Sequence, residues 1–294
     1  MLEVDFKTAV PIVKQEDTFS IAELYHENSK VFDIFIKLSE KCTTQKMKND
    51  YDRNLQNVYK LVSKSFKRYP NPVKIEMPKD FSLGNVSIER VLEARRSQRD
   101  FLDEPMSLDE LSKLLHFSYG INGHNPVPFD DGTCQSFRFS PSAGALYPLE
   151  IYPVLFNVEG TKKGIYHYHV KDHILELIKE GDFQEKLYEY TLGQDLIKKA
   201  NVVFAIAAVF ERHKFKYGDR GYRYTLFDAG HLVQNIYLVS TALHLGCCSI
   251  GGFIDDKINE ILNIDGINEA AIYIGAIGKI GQSSQAESTD MVLT

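Results

Sequence analysis

Apolar residues recur with a helical period near the amino terminus and form longer, strand-like runs in the middle of the chain. Over residues 21–38 and 46–66 they recur every three or four positions among Lys, Asp and Glu, which predicts two helices with one buried stripe each. Prolines within residues 70–78 interrupt this pattern. We therefore predict a helical amino-terminal extension over residues 1–80, lying on a main domain over residues 81–294.

Two further helices are predicted from their caps. Ser87 is placed to cap a helix that runs to Arg95, and Ser107 with Glu110 has capping-box spacing before a helix that stops at Gly120. The basic segment that begins at Arg95 therefore falls at a helix end and in the turn after it.

The middle of the chain is rich in predicted strands. Residues 149–158, 163–170 and 173–178 are short segments rich in Ile, Val, Tyr and Phe, which predicts a meander. After a predicted helix over 182–200, residues 201–210 form an unbroken apolar run, as expected for a central strand that is buried on both faces.

The last part of the chain combines a long helix with a strand. Residues 224–245 are apolar on nearly every side, which predicts a helix inside a core or at a subunit interface. A second helix is expected to begin near Asp255. A final strand over 270–277 completes an α+β domain.

Charge and composition argue against several classes of protein. A net charge of −6 and a pI near 5.9 do not suit a general nucleic-acid-binding protein. We see no apolar run of about 18 residues that would predict a membrane span, and residues 1–17 do not resemble a secretory signal. Cys42, Cys134, Cys247 and Cys248 fit neither a zinc spacing nor a disulfide framework. We expect a protein of the reducing cytoplasm that binds neither nucleic acid nor membrane.

The histidines do not predict a metal site. His167 and His169 share one face of a predicted strand, and His173 follows them. No carboxylate or cysteine completes a ligand set with them at the usual spacing. We therefore expect no bound metal.

Two segments carry the strongest chemical signal. Residues 95–101 read Arg-Arg-Ser-Gln-Arg-Asp-Phe and place three guanidinium groups close together in an acidic chain, which favours a specific anion such as a phosphate. Residues 140–148 read Ser-Pro-Ser-Ala-Gly-Ala-Leu-Tyr-Pro, small residues whose backbone can approach a flat ligand. Together they predict a phosphorylated planar cofactor. For the arginines, surface ion pairs with Glu89, Glu93 or Asp103 are the alternative.

The first segment resembles the flavin-phosphate signature of the nitroreductase-like flavoproteins, and residues 141–150 resemble a segment of their SagB-type (McbC-like) azoline dehydrogenase branch. Members of that branch oxidise thiazoline or oxazoline rings in ribosomally made peptides. The resemblance covers residues 87–280, and residues 25–30 resemble part of the branch's helical amino-terminal extension. It implies an α+β, nitroreductase-like FMN-binding fold with a central mixed sheet flanked by helices, assembled as a homodimer.

The resemblance also assigns cofactor contacts. The arginine segment matches phosphate and ribityl contacts, segment 141–144 would reach the flavin of the neighbouring subunit, and the paired glycines match a loop that faces flavin N5. The lysine after the last strand matches a basic phosphate ligand. An ordinary turn and a solvated lysine are the alternatives for these last two sites. The predicted contacts are Arg95, Arg96, Ser97, Arg99, Pro141, Ser142, Ala143, Gly144, Gly251, Gly252 and Lys279.

A basic segment, residues 212–223, contains Lys216-Tyr217, which resembles the Lys-Tyr pair that azoline dehydrogenases use in catalysis. Azoline aromatisation removes a proton from Cα and a hydride from Cβ, so a base must stand opposite the flavin. Free Lys and Tyr have pKa values near ~10.4 and ~10. We expect the neighbouring cations Lys214, Arg220 and Arg223 to lower both.

The two candidate catalytic residues can act together only in some backbone geometries. In extended backbone Lys216 and Tyr217 would point to opposite faces, so both can act only if the chain turns there, as Gly218 and Gly221 permit. Without a turn one of the pair is structural, and a solvated basic loop is the alternative for the whole segment.

Three functions follow from this interpretation. The favoured one is an FMN-dependent azoline dehydrogenase that acts on a heterocyclised peptide, passes electrons to oxygen and works with cyclodehydratase partner proteins. The second is a nitro- or flavin reductase that uses NAD(P)H. The third is a non-catalytic flavin-binding subunit that serves as a scaffold.

Overall fold

A computed structural model describes residues 21–30, 66–126 and 134–281. Contacts divide the chain into two units, residues 1–44 and 45–294. In the first unit, helix α1 spans Ile21–Asn28. The rest of the predicted helix over 21–38 and nearly all of that over 46–66 lie outside the described residues. The division into an extension and a domain at residue 80 stays a prediction.

A seven-stranded sheet forms the centre of the second unit, with strand order β1-β6-β5-β4-β7-β9-β8. A separate two-stranded hairpin is formed by β2 and β3. The strands are β1 Lys74–Glu76, β2 Ile121–Pro126, β3 Cys134–Arg138, β4 Leu149–Leu155, β5 Gly164–His169, β6 Ile174–Glu180, β7 Val202–Val209, β8 Leu245–Ile250 and β9 Glu269–Lys279.

Neighbouring strands of this sheet run antiparallel, so the predicted mixed sheet is corrected to an antiparallel one. A short connection between His169 and Ile174 joins β5 to β6, and such a turn can only return the chain antiparallel. Strand β4 pairs with β7 from Leu149 opposite Ala208 to Leu155 opposite Val202. The predicted α+β class is confirmed.

The central strand β7 is buried on both faces, as its apolar run predicts. Residues 202, 204, 206 and 208 belong to one hydrophobic cluster, and residues 203, 205 and 207 belong to another. Helices cover both faces, giving a three-layered domain. These are α2 Ile88–Ala94, α3 Leu108–Tyr119, α4 Gln184–Tyr190, α5 Glu211–Tyr217, α6 Arg220–Ala242 and α7 Asp255–Leu262.

Both helix caps are confirmed. The Ser87 hydroxyl accepts a hydrogen bond from Arg90 N, and α2 ends at Arg95. Ser107 and Glu110 form a complete capping box at the start of α3, which ends at Gly120.

Three other predictions need correction. The helix predicted over 182–200 divides into α4 and a 3₁₀ turn, Asp195–Lys199, because the backbone at Leu192 and Gly193 has φ of 59° and 75°, which interrupts a right-handed helix. The predicted helix over 224–245 begins earlier, at Arg220, and gives way to strand β8. The hairpin of β2 and β3 was not predicted, since its residues are mostly polar or small. Within the described residues, no helix is long and apolar enough to span a membrane.

Candidate functional site

The arginine segment is fixed to the sheet by its last residue. Phe101 is buried against the backbone of Gly246 and Gly278, where a Cβ on Gly278 would lie 2.6 Å from the ring. Main-chain hydrogen bonds join Gln98 N to Cys247 O at 3.0 Å and Leu102 N to Lys279 O at 2.8 Å. The segment therefore runs beside the joined ends of β8 and β9.

The side chain of Tyr237, on helix α6, connects the arginine segment to strand β8. Tyr237 Oη lies 3.1 Å from Ser97 Oγ, and it accepts a hydrogen bond from Ser249 N at 2.8 Å. The guanidinium carbon of Arg95 lies 5.4 Å from the Tyr237 ring centroid, within range of a cation–π contact. We call Arg95, Ser97, Tyr237 and Ser249 the Tyr237 cluster. It brings the arginine segment to the strand that leads into the glycine pair.

The other predicted phosphate ligands point elsewhere. Arg96 donates to the main-chain carbonyls of Glu93 and Arg95, both at 2.8 Å, and Arg99 reaches Ser97 O at 3.4 Å. Lys279 is paired with Glu110 at 2.5 Å. Among the described residues, no ion pair joins the three arginines to Glu89, Glu93 or Asp103. Arg95 is thus the predicted cation that the structure places in the Tyr237 cluster.

The glycine pair leaves its backbone accessible. Gly251 and Gly252 are exposed and follow directly after β8. A Cβ on Gly251 would meet nothing within 4 Å, and one on Gly252 would meet only Leu192, at 3.8 Å. A planar group can therefore approach this backbone, although an ordinary turn has the same geometry.

Segment 141–144 forms a tight turn that meets both candidate catalytic residues. Gly144 has φ of 63°, and a Cβ there would lie 2.5 Å from Tyr217 Oη and 2.9 Å from Lys216 Nζ. Ser142 Oγ accepts a hydrogen bond from Tyr147 N at 2.9 Å, which closes the turn, while Pro141 is exposed. We call Gly144, Lys216 and Tyr217 the Gly144 cluster.

The backbone of the basic segment explains why both side chains reach one glycine. The backbone here is not extended, since residues 211–217 form helix α5, which ends at Gly218 with φ of 56°. Adjacent residues of a helix point about 100° apart rather than to opposite faces. Lys216 and Tyr217 can therefore contact the same place.

Packing holds the Tyr217 ring. It is edge-on to Tyr224, with centroids 4.9 Å apart, and to His213, with centroids 5.9 Å apart. Lys216 Nζ lies 5.3 Å from its centroid. The hydroxyl thus has a defined direction, toward Gly144.

Arg212, at the start of the same segment, is structural. Its guanidinium donates to Tyr147 O at 2.9 Å and pairs with Glu150 at 2.5 Å. Burial alone would raise the pKa of Glu150, but Arg212 and His167 hold it well below its usual range. Arg212 therefore holds the end of the small-residue loop, at Tyr147, against strand β4.

His167 lies between two buried carboxylates that its sequence spacing did not reveal. Its ring nitrogens are each 2.9 Å from a carboxylate oxygen, one of Glu150 and one of Glu176. Burial lowers the pKa of His167, but these two carboxylates raise it by more. In the described part of the chain, no group of three His, Cys, Asp or Glu residues could hold a metal ion.

Three residues near the two clusters were missed from the sequence: Tyr237, Asp228 and His213. Asp228 carried a signal, because it is the one acid in the apolar stretch 224–245. Its Oδ1 accepts a hydrogen bond from Ala143 N at 3.3 Å, and its Oδ2 lies 3.5 Å from His213 Nε2. A buried acid and imidazole thus lie directly against the 141–144 turn.

The chain matches a protein family and several known proteins. The model of the Nitroreductase family matches residues 92–279. MJ1384 of Methanocaldococcus jannaschii, whose name places it among the nitroreductases, is 38% identical over 65% of this chain and 90% of its own length. The microcin B17-processing protein McbC of Escherichia coli is 31% identical over 48% of this chain and 53% of McbC.

Solved structures share the fold. A chain of the E. coli microcin synthetase McbBCD complex, solved with truncated pro-MccB17 bound, has a TM-score of 0.52 at 22% identity, covering 82% of this chain and 100% of that one. In sequence, the chain spans nearly all of MJ1384 but about half the length of McbC.

Proposed function

Because the chain belongs to the Nitroreductase family, we propose that it is an FMN-dependent azoline dehydrogenase, which oxidises thiazoline or oxazoline rings to thiazole or oxazole in a ribosomally synthesised peptide. The observation that carries this proposal is the contact of Lys216 and Tyr217 with Gly144. The relation to McbC, a peptide-processing protein, supports the same substrate class.

The residues present fit FMN. In the Tyr237 cluster, Arg95 offers a cation and Ser97 a hydroxyl for a phosphate. Arg96, Arg99 and Lys279 are secondary candidates, because each already has a partner within the chain. Gly251 and Gly252 offer open backbone that a planar ring can approach. Bound flavin would supply the hydride acceptor that the reaction needs.

The chain's own residues would handle the proton. Each ring loses one hydrogen as a proton from Cα and one as a hydride from Cβ, and oxygen finally accepts the electrons. Tyr217 Oη and Lys216 Nζ both lie at Gly144, so whichever of the two is deprotonated can receive the Cα proton there while the other donates a hydrogen bond to it.

The proposal includes partners. A homodimer would let segment 141–144 reach the flavin of the neighbouring subunit. Large apolar side chains are exposed along α5 and α6 and suit such an interface: Phe215, Tyr222, Leu226 and Phe227. Because the McbBCD complex contains a bound pro-peptide, we further propose that cyclodehydratase proteins in the cytoplasm present the substrate.

A mass measurement tests the function. Purified protein with a flavin spectrum is incubated with a preformed azoline peptide, and we expect the loss of two hydrogens per ring. Lys216→Ala and Tyr217→Phe are expected to keep the flavin and lose ring oxidation. The control Lys186→Ala, at an exposed lysine on helix α4, is expected to keep both. Wild-type turnover in both site variants would refute the assignment of this pair.

The similarity to MJ1384 favours one second candidate, an NAD(P)H-dependent nitro- or flavin reductase. Rapid nicotinamide oxidation with small nitroaromatics, without ring oxidation, would support it. A flavin-bound protein inactive in both assays would instead be a scaffold subunit.

A further inference from the structure

Below the 141–144 turn lies a carboxyl group with one unsatisfied oxygen. Asp228 is 3% exposed, and its Oδ1 accepts the hydrogen bond from Ala143 N. Oδ2 is buried and has no hydrogen-bond partner within the described structure. A buried acceptor left without a partner costs about 1–3 kcal/mol, so a proton that gives Oδ2 a partner is favoured.

Hydrogen bonds around His213 fix the position of its ring proton. Thr225 Oγ1 donates to Gly221 O at 3.0 Å, so it can only accept from His213 Nδ1, 3.1 Å away. The neutral ring therefore carries its proton on Nδ1 and turns the lone pair of Nε2 toward Asp228.

Ser142 Oγ lies 3.4 Å from the same Nε2. In a hydrolytic triad, the carboxylate and the hydroxyl face opposite nitrogens of the imidazole. Here both face one nitrogen, so the group is not built for nucleophilic attack by Ser142.

Two lone pairs, on Asp228 Oδ2 and His213 Nε2, thus face each other at 3.5 Å. The Ser142 hydroxyl lies near both groups and lowers the pKa of Asp228, but its single proton can satisfy only one of the two acceptors, so a hydrogen bond that joins Asp228 to His213 needs a proton between them. Burial raises the pKa of Asp228 to about 6 and lowers that of His213 to about 4. Below pH 6 the proton therefore lies on Asp228 and points at Nε2. Among the residues that the structure describes, the other titratable groups that act on the pair are Lys216, His231, Tyr119 and Tyr147.

The Asp228–His213 pair connects the 141–144 turn to the two side chains of the Gly144 cluster. Asp228 holds the turn through Ala143 N, while His213 lies one helical turn before Tyr217 and packs against its ring. Building on the proposed function, we propose that Asp228 is a positioning residue, which shares one proton with His213 and thereby holds Lys216 and Tyr217 against Gly144.

Kinetics test this with two substitutions. In the wild type, kcat of ring oxidation is expected to fall as pH rises through about 6, because Asp228 then loses the shared proton. In Asp228→Asn, the side-chain amide can donate to His213 Nε2 at every pH, so this transition is expected to disappear. In Asp228→Ala the connection is lost, and kcat is expected to fall about 10- to 100-fold at all pH values. Both variants are compared at equal flavin content, so a folding defect is separated from a positioning defect.

The matched control is Asp195→Asn. Asp195 is exposed and pairs with Lys198 on the surface, so this variant is expected to keep the wild-type profile. A transition near pH 6 that persists in Asp228→Asn, or a wild-type kcat in Asp228→Ala, would overturn the proposal.

Two readouts do not depend on activity. A carboxyl ¹³C NMR titration, assigned with Asp228→Asn, is expected to show Asp228 titrating near pH 6. A crystal structure of Asp228→Ala is expected to show Tyr217 Oη displaced from Gly144 by about 1 Å or more, the scale on which catalytic geometry fails. If the wild type oxidises no azoline, the proposed function fails, and these two measurements still decide the role of Asp228. A carboxyl that titrates at its ordinary pKa, with Tyr217 unmoved, refutes it.

Discussion

The Tyr237 cluster is held by hydrogen bonds, whereas the Gly144 cluster is held by packing around a glycine. Tyr237 Oη has Ser97 and Ser249 as partners, and the adjoining arginine segment is fixed to two strands. Ala145, directly after Gly144, has φ of 52°, which is strained for a residue with a Cβ, and a buried carboxyl with an unsatisfied oxygen lies nearby. Strain and unpaired groups collect where chemistry occurs, so the first cluster suits ligand binding and the second suits proton transfer.

Helix α6 carries Tyr237, which belongs to the Tyr237 cluster, and Asp228, which lies beside the Gly144 cluster. Tyr237 and Asp228 are nine residues apart, which is about 14 Å along a helix axis. This separation is consistent with the proposed homodimer, in which each Gly144 cluster would serve the flavin of the other subunit.

The largest expected effect is on the Gly144 cluster. In Gly144→Ala the new Cβ would lie 2.5 Å from Tyr217 Oη, so Tyr217 and Lys216 must move. We expect ring oxidation to fall about 100-fold or more, measured as kcat with flavin content unchanged. Gly160→Ala is the control, since Gly160 has φ of 70° with nothing within 4 Å and so adds strain without a clash. Equal losses in the two variants would attribute the effect to backbone strain alone.

A smaller effect is expected for the cation of the Tyr237 cluster. Arg95→Ala removes a charge-assisted contact worth about 2 kcal/mol, so flavin should bind about 30-fold more weakly. Arg96→Ala should change affinity little, because Arg96 is bonded to nearby main-chain carbonyls. Fluorescence titration of the apoprotein with FMN measures both. A greater loss in Arg96→Ala would reverse the assignment.

Removing one hydroxyl sharpens the comparison further. Tyr237→Phe leaves Ser97 Oγ and Ser249 N without their partner, and we expect about a 5- to 10-fold loss of FMN affinity, from roughly 1 kcal/mol of hydrogen bonding. Tyr273→Phe removes a hydroxyl that donates only to Ser249 Oγ, at 3.1 Å, and should have less effect. Identical affinities in wild type and Tyr237→Phe would show that this cluster does not hold the cofactor.

The smallest expected effect is on stability. Asp228 has a pKa raised by burial from 3.8 to about 6, so its contribution to stability is fully present below pH 3.8 and is lost as pH rises through about 6. Asp228→Asn lacks this loss. Its Tm, relative to wild type, should therefore be higher at pH 7.5 than at pH 4, by a few degrees. Calorimetry at the two pH values checks this, and a Tm difference that does not change with pH would contradict it.

Local signals in the sequence were enough for part of the fold. The caps at Ser87 and Ser107 involve residues three positions apart, and the apolar run of β7 marks a strand buried on both faces. Helix α5 was missed because only His213 is buried along it, so it has no apolar stripe. Strand β8 was missed because the two-residue turn before it, Leu243-His244, contains no Gly, Pro, Asn or Asp that would mark it in the sequence.

The site was predictable only where its residues form motifs. The arginine segment and the Lys216-Tyr217 pair could be found as short patterns, whereas Ser97 meets Tyr237 across 140 positions of the chain. Asp228 and His213 matter through their neighbours in space, and the sequence spacing does not encode these contacts.

The packing of Phe101 between Gly246 and Gly278 makes cofactor binding depend on the sheet itself. Because the arginine segment is packed and hydrogen-bonded onto two strands, it stays in place while β8 and β9 remain paired. A ligand bound by Arg95 would then dissociate when the whole domain unfolds. Its release on heating would therefore report global unfolding rather than a local opening.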